Sequence, residues 1–270
     1  MKRVLKGNEP LSLRTFRTAV PSGQWQYMRD DALFGGQQAY ADCRKSTIAD
    51  QGGLCAFCEI DIRDNDPLKC HVEHFHPKSD ISPTKNWALD WNNLLGVCNG
   101  GSYAHTPTPG HYLAPRDENL SCDQHKDQMI QRGKLPNACE GWILNPLQLC
   151  SQPSIFQLAL STGKLGAHPI NCGLISINGN KHASTEALVE YTIDMLNLNC
   201  DRLLKSRLVI IRHIENAKKR QRQLGFNAAD GLTNLSREYF RRRWLGFFST
   251  YRICLGNSAE AHLTSIGYQG

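Results

Sequence analysis

Two different periods run along this chain. From Ser184-Thr185-Glu186, a helix-starting triplet, apolar residues return at helical spacing to the end. Leu204, Leu208, Ile211 and Ile214 recur with polar residues between them, and Phe240, Trp244, Phe247 and Tyr251 do the same in a last helix. On that helix Arg242 points roughly away from the aromatics, which reads them as core rather than as a base-stacking platform. A shorter helical stretch, GQQAYADCRKSTIAD over 36–50, runs into Gly52-Gly53, a C-terminal stop. Elsewhere the period shortens. Lys69 to Phe75 reads as a strand, and Ile155 to Leu160, then Ser161-Thr162-Gly163, then Lys164-Leu165, read as a hairpin. Residues 99–121 are rich in Gly, Pro, Ser and Asn and predict a long loop, while 1–30 predict an arm with short elements. The expected organisation is an N-terminal arm and helix (1–50), a central core (51–130), a small β region (131–183) and a basic helical region (184–270).

Composition narrows the class. A chain of 270 residues with 40% hydrophobic and 21% charged positions is long enough for one full core plus a smaller module, and too balanced for disorder. The opening MKRVLKGNEPLSLRTFR has no apolar run and no window approaches a membrane span, so a cytoplasmic protein is expected. In that compartment eleven cysteines point to metal rather than to disulfides. Charge is uneven: residues 201–252 hold 13 Lys/Arg against 4 Asp/Glu, a local balance of +9 in a chain of net +6. Such a segment suits a polyanion or an acidic partner surface, or is simply a solvated helix face.

The candidate chemistry is concentrated between 55 and 125. Cys55 and Cys58 form a CxxC turn able to share one Zn²⁺ tetrahedron, and Cys98 and Cys122 are the best candidates to complete it, with Cys70 or Cys139 as replacements for one of them. Between the pairs lies VEHFHPKS (72–79). Adjacent residues on a strand face opposite ways, so Glu73 and His74 serve one site only where the strand ends or twists, as Pro77 suggests. A histidine with a reference pKa near 6.5 can take a proton from water at neutral pH.

Several of these elements resemble the HNH endonucleases: Glu73-His74 followed by Pro77, Asn93-Leu94 upstream of Cys98, and Cys122-Asp123-x-x-Lys126, in that order within about 52–126. A narrower similarity, to the PtuB nucleases of Septu and retron-associated anti-phage defence, extends over Lys6, Pro10 and Leu13, CAFCE, VEHFHPKS, WNNLLGVC and WILNPL. The resemblance implies an α+β fold: a ββα-metal core with a structural zinc, a small β region and a mainly helical C-terminal part. It implies His74 as general base and Asn93 bracing the loop that orients it, although Asn93 also reads as an ordinary turn residue. Glu73 and Asp123 would hold a catalytic Mg²⁺ or Mn²⁺. Asp123 stands where the family has its last His or Asn, which leaves His125 as an alternative. His71, His76, Lys78, His125 and Lys126 are candidate substrate contacts, with His71 and His76 not catalytic. His105 and His111, in the long loop, read as solvated. The implied partners are a PtuA-like ATPase, a reverse transcriptase with its small DNA, and a nucleic-acid substrate, DNA or RNA including tRNA. The competing reading is a zinc-stabilised binding module without catalysis, in which Glu73 and His74 serve structure.

Overall fold

The computed structural model describes residues 1–81, 84–102, 117–241 and 243–270. The short elements expected in the N-terminal arm are helices, α1 (Leu11–Ala19) and α2 (Trp25–Asp30), and with the expected helix α3 (Gly36–Asp50) they form a packed layer. Its Leu13, Phe16, Trp25 and Met28 are buried together, apolar positions too few per helix to declare themselves in sequence. Asp31 starts α3, its carboxylate accepting the Phe34 and Gly36 N–H groups, each at 2.9 Å. The helix stops where the paired glycines predict. Gly52 (φ +68°) and Gly53 (φ +81°) are left-handed, and a Cβ on Gly52 would collide with the Trp244 indole.

The central hairpin pairs β1 (Cys70–His74) with β2 (Leu94–Cys98), antiparallel, with Glu73 opposite Leu95 and His74 opposite Leu94. Every β2 residue is buried. Gln51 fixes this strand: its Oε1 accepts from Gly96 N and its Nε2 donates to Gly96 O, both at 2.7 Å. The two faces of β1 diverge. Val72 joins the core of α1–α3, whereas His71 and Glu73 turn towards α4 (Cys122–Gln131). Strand, strand and helix thus enclose the site.

A second hairpin, β3 (Phe156–Ala159) with β4 (Lys164–Ala167), stands where the alternation predicts it. With α5 (Pro169–Leu174) and α6 (Thr185–Met195) it shares one hydrophobic core with the cysteine turn and α4. The Ser184 side chain caps α6 by accepting from Ala187 N at 3.1 Å.

The C-terminal part is helical, as expected, with α7 (Asp201–Gln223), α8 (Ala228–Tyr239), α9 (Phe248–Leu255) and α10 (Asn257–Ser265). Two details of the apolar pattern differ. The single helix expected through Phe240, Trp244, Phe247 and Tyr251 is interrupted, since Phe240, Trp244 and Phe247 lie outside α8 and α9. There Arg63 bonds the Trp244 carbonyl, and Phe247 N donates to Glu59 O at 2.7 Å. The Glu59 carboxylate then accepts from Ser249 N and Oγ, at 2.8 and 2.6 Å, and so starts α9. Phe240, Trp244, Phe248 and Tyr251 are nonetheless part of one aromatic core. On α7 the innermost stripe is Leu203, Arg207, Ile211 and Ile214, with Leu204 and Leu208 only half-buried. An arginine occupies a core position that periodicity assigns to an apolar residue. No described helix is long and apolar enough to cross a membrane.

Candidate metal centres and active cleft

Four buried cysteines converge from three segments: Cys55 and Cys58 on the turn, Cys98 ending β2, and Cys122 opening α4. The sulfurs of Cys58 and Cys98 are 3.5 Å apart, those of Cys98 and Cys122 3.7 Å, and those of Cys55 and Cys122 3.9 Å. Thiolates about 2.3 Å from one tetrahedral ion are about 3.8 Å apart, whereas a disulfide would bring a pair to about 2 Å. The cluster therefore fits a four-sulfur metal centre. Cys70, whose sulfur faces the Asp66 carbonyl at 3.4 Å, and Cys139, bonded to Phe75 O at 3.2 Å, lie outside it. Burial pushes the Cys43 and Cys139 thiols up to about 12, as expected of packing residues.

The second cluster lies in a cleft of about 400 Å³ between β1 and α4. Its possible ligand atoms, from His71, Glu73 and Asp123, all lie within 4.8 Å of one another. Residues 71 and 73 share one strand face by period two, and Asp123 and Lys126 share one helix face by spacing three. His71 Nε2 meets Asp123 Oδ2 at 2.6 Å, while Asp123 Oδ1, also buried, has no hydrogen-bond partner among the described residues. Lys126 is ion-paired to Glu73 and donates to His74 O at 3.4 Å. Burial pushes the Glu73 carboxyl up, with Lys126 opposing. At His71 burial acts against the charge, but the bond to Asp123 together with the charges of Asp123 and Glu73 raises the pKa. An orphaned carboxylate oxygen beside a second carboxylate and an imidazole is a donor set for a divalent cation.

The other candidate residues take varied positions. His74 ends β1 and lines the cleft; its Nε2 is bonded to Ala88 O at 3.1 Å, and its ring packs edge-on against Trp25, centroids 4.7 Å apart. Since a carbonyl only accepts, Nε2 carries the hydrogen and Nδ1 is the acceptor nitrogen. Burial lowers this histidine to about 4, so it is neutral at pH 7. Asn93 ties the flanking segments together: Oδ1 accepts from His76 N at 2.6 Å, and Nδ2 donates to His76 O and Trp87 O, both at 2.9 Å. Lys78 is exposed at the cleft rim. His76 is held by Glu140 at 2.6 Å and Asp80 at 2.9 Å and stacks on Trp87, and His125 bonds Met195 O at 3.0 Å; neither joins the cluster. His105 and His111 lie outside the described residues.

The basic segment is less superficial than its sequence implies. Arg207 and Arg252 are 2% and 4% exposed, Arg252 gripping Glu260 through two bonds of 2.6 and 2.7 Å. Arg212, Lys219, Arg220, Arg222, Arg237, Arg241 and Arg243 are exposed.

Comparison with known proteins gives the class: this chain belongs to the HNH endonucleases, metal-dependent hydrolases of phosphodiester bonds. The relative that carries this is the protein assigned as the HNH endonuclease of retron Ec83 of Escherichia coli. The two are 37% identical over 223 residues, 81% of this chain and 82% of the relative. No protein-family profile matches the chain.

Proposed function

We propose that this endonuclease cleaves nucleic acid with one divalent cation held by His71, Glu73 and Asp123, and with His74 as general base. The observation that carries the reading is the convergence of those three donors, one with an unpartnered buried oxygen, in an open cleft that His74 also lines. A bound cation supplies Lewis-acid stabilisation of the scissile phosphate and of the leaving oxygen. Mg²⁺ suits the two carboxylates, and the His71 nitrogen adds a preference towards Mn²⁺. As water attacks phosphorus, a new P–O bond forms, the P–O bond to the sugar breaks, and the water's proton passes to His74 Nδ1. Asn93 holds the Trp87 segment, which carries the Ala88 carbonyl that sets the His74 tautomer. Lys126 and Lys78 neutralise phosphate charge at the cleft. The four cysteines hold Zn²⁺ as a brace.

By analogy with the retron relative, the chain acts as a cytoplasmic effector of anti-phage defence of the Septu/PtuB kind. Its partners there are a PtuA-like ATPase and the retron's reverse transcriptase with its small DNA. The substrate is DNA or RNA, tRNA included, since phosphate-directed chemistry does not read the 2′-OH. The test is cleavage of labelled duplex DNA, single-stranded DNA and tRNA by the chain with its partner complex, in EDTA, Mg²⁺ or Mn²⁺. Glu73→Gln and Asp123→Asn are expected to drop wild-type cleavage to the level seen in EDTA. A wild type that cleaves nothing under any of these conditions leaves the non-catalytic binding module as the better reading.

The exposed cations of α7 give a second expected result. If they grip backbone phosphate, affinity falls with salt, and replacing Lys219, Arg220 and Arg222 by Glu flattens the log–log slope by up to roughly 2–3, at about 0.9 per duplex phosphate contact. A flat wild-type response instead assigns this face to protein docking.

A further inference from the structure

Two arginines in the first turns of α7 bond no carboxylate among the described residues. Arg207, 2% exposed, donates from Nη2 to Leu198 O at 2.6 Å and from Nη1 to Gly163 O and Asn199 Oδ1 at 3.2 and 3.4 Å, all neutral acceptors. Arg202, half-buried, donates from Nη2 to Ser121 Oγ at 2.7 Å, and its buried Nε has no hydrogen-bond partner among the described residues. The contrast is Arg252, whose burial is matched by a bidentate bond to Glu260.

A buried cation needs a counter-charge, because neutral acceptors alone do not repay the loss of water. Next to both guanidiniums lies the cysteine cluster, with the Glu59 carboxylate also near Arg207. Ser121, fully buried, receives Arg202 and points its own hydroxyl at Cys122 Sγ, 3.7 Å away. Burial works against the charge on both; Cys98, Cys58 and Cys122 more than offset it at Arg202, whose pKa is raised, whereas Cys58, Glu59 and Cys122 offset it only in part at Arg207, which burial lowers to about 10. Four thiolates around one divalent ion leave two negative charges, and two guanidiniums supply two positive ones.

We infer that Arg202 and Arg207 are the built-in counter-charge of the four-cysteine metal centre, positioning residues that keep an anionic four-thiolate site stable in a dry core. The inference rests on the reading that this cluster holds a divalent metal. It also makes α7 responsive to the centre: the helix that carries the exposed cations is anchored at its base by the charge on the metal site.

The test uses the full chain, purified with its metal, in Arg202→Met, Arg202→Lys, Arg207→Met and Arg207→Lys forms. Metal content is measured first, then metal release against rising chelator, with circular dichroism to verify the fold. The Met variants are expected to hold metal about 10–100-fold less tightly, the range found when outer-shell partners are removed. The Lys variants, which keep the charge but lose the planar fork, are expected to fall between Met and wild type. If Arg207→Met does not fold, the Arg202 pair decides alone. Wild-type affinity in Arg202→Met overturns the inference. A Lys variant as weak as its Met counterpart also overturns it, since hydrogen bonding and not charge would then be at work. A wild-type chain that holds no metal on its cysteines overturns the underlying reading instead, and the metal content reveals it before any variant is compared.

Discussion

His74→Ala is expected to keep its fold and its cysteine-bound metal while losing cleavage by about 100- to 10,000-fold, the usual contribution of a general base. Three contacts prepare this residue. The Ala88 carbonyl, 3.1 Å from Nε2, fixes the tautomer; Trp25, edge-on at 4.7 Å, fixes the ring plane; and burial lowers the pKa to about 4, so the imidazole is neutral at pH 7. A base that starts protonated would repel the cation and could accept nothing. Removing the ring leaves a gap beside Trp25, so His74→Gln, which fills more of the space, serves as the companion variant. Both are assayed for metal content, circular dichroism and single-turnover cleavage in Mn²⁺. Cleavage within a few-fold of wild type in a folded, metal-loaded variant would remove His74 from the reaction and return it to packing.

The sequence marks His74 and Glu73 because they are neighbours in a recognisable string, and it leaves His71 in a subordinate role. Yet strand alternation puts 71, not 74, on the face of Glu73, so the signal was the period of two, outweighed by adjacency. Asp123 as the partner of His71 is a contact across 52 residues, which no local pattern reports. The CxxC turn is legible for the opposite reason, since two ligands three apart state their geometry locally. Which distant cysteines join them, Cys98 and Cys122 rather than Cys70 and Cys139, depends on where β2 ends and α4 begins. Helices in the C-terminal part follow from periodicity, but the break between α8 and α9 is made by Arg63 and Glu59, nearly two hundred residues earlier. Arg207 is the sharpest case. Its position continues the apolar stripe of α7, and the groups that favour its charge, Cys58, Glu59 and Cys122, all come from other segments.

The same convergence makes the cysteine centre the point of greatest leverage on the site. Cys98 ends the strand paired with β1, and Cys122 is followed directly by Asp123, so one ion would pin both sides of the cleft. Cys122 also has φ +59°, a left-handed conformation that a non-glycine residue adopts at a cost of about 1–3 kcal/mol. A metal holding its sulfur among the other three would keep that geometry in place. Removing the metal with a strong chelator, or one ligand with Cys98→Ser, is therefore expected to loosen the start of α4 and withdraw Asp123 from His71. Metal-coupled folding in small zinc domains is worth ~10–16 kcal/mol. Here a large shared core remains, so about 5 kcal/mol is the expected loss, which lowers the melting temperature by ~10–20 °C for a chain of this size. Cys43→Ser, which alters a buried thiol of the α1–α3 core, is the control and should leave metal content intact. The measurements are metal content, thermal melts with and without chelator, and cleavage after the chelated chain is returned to Mg²⁺ or Mn²⁺ alone. If the brace is real, Mn²⁺ will not restore cleavage to a chain stripped of its cysteine metal, whereas zinc followed by Mn²⁺ will. An unchanged melting temperature after complete stripping would mean that the cluster holds together by packing, and that the cleft owes its shape to the surrounding core instead.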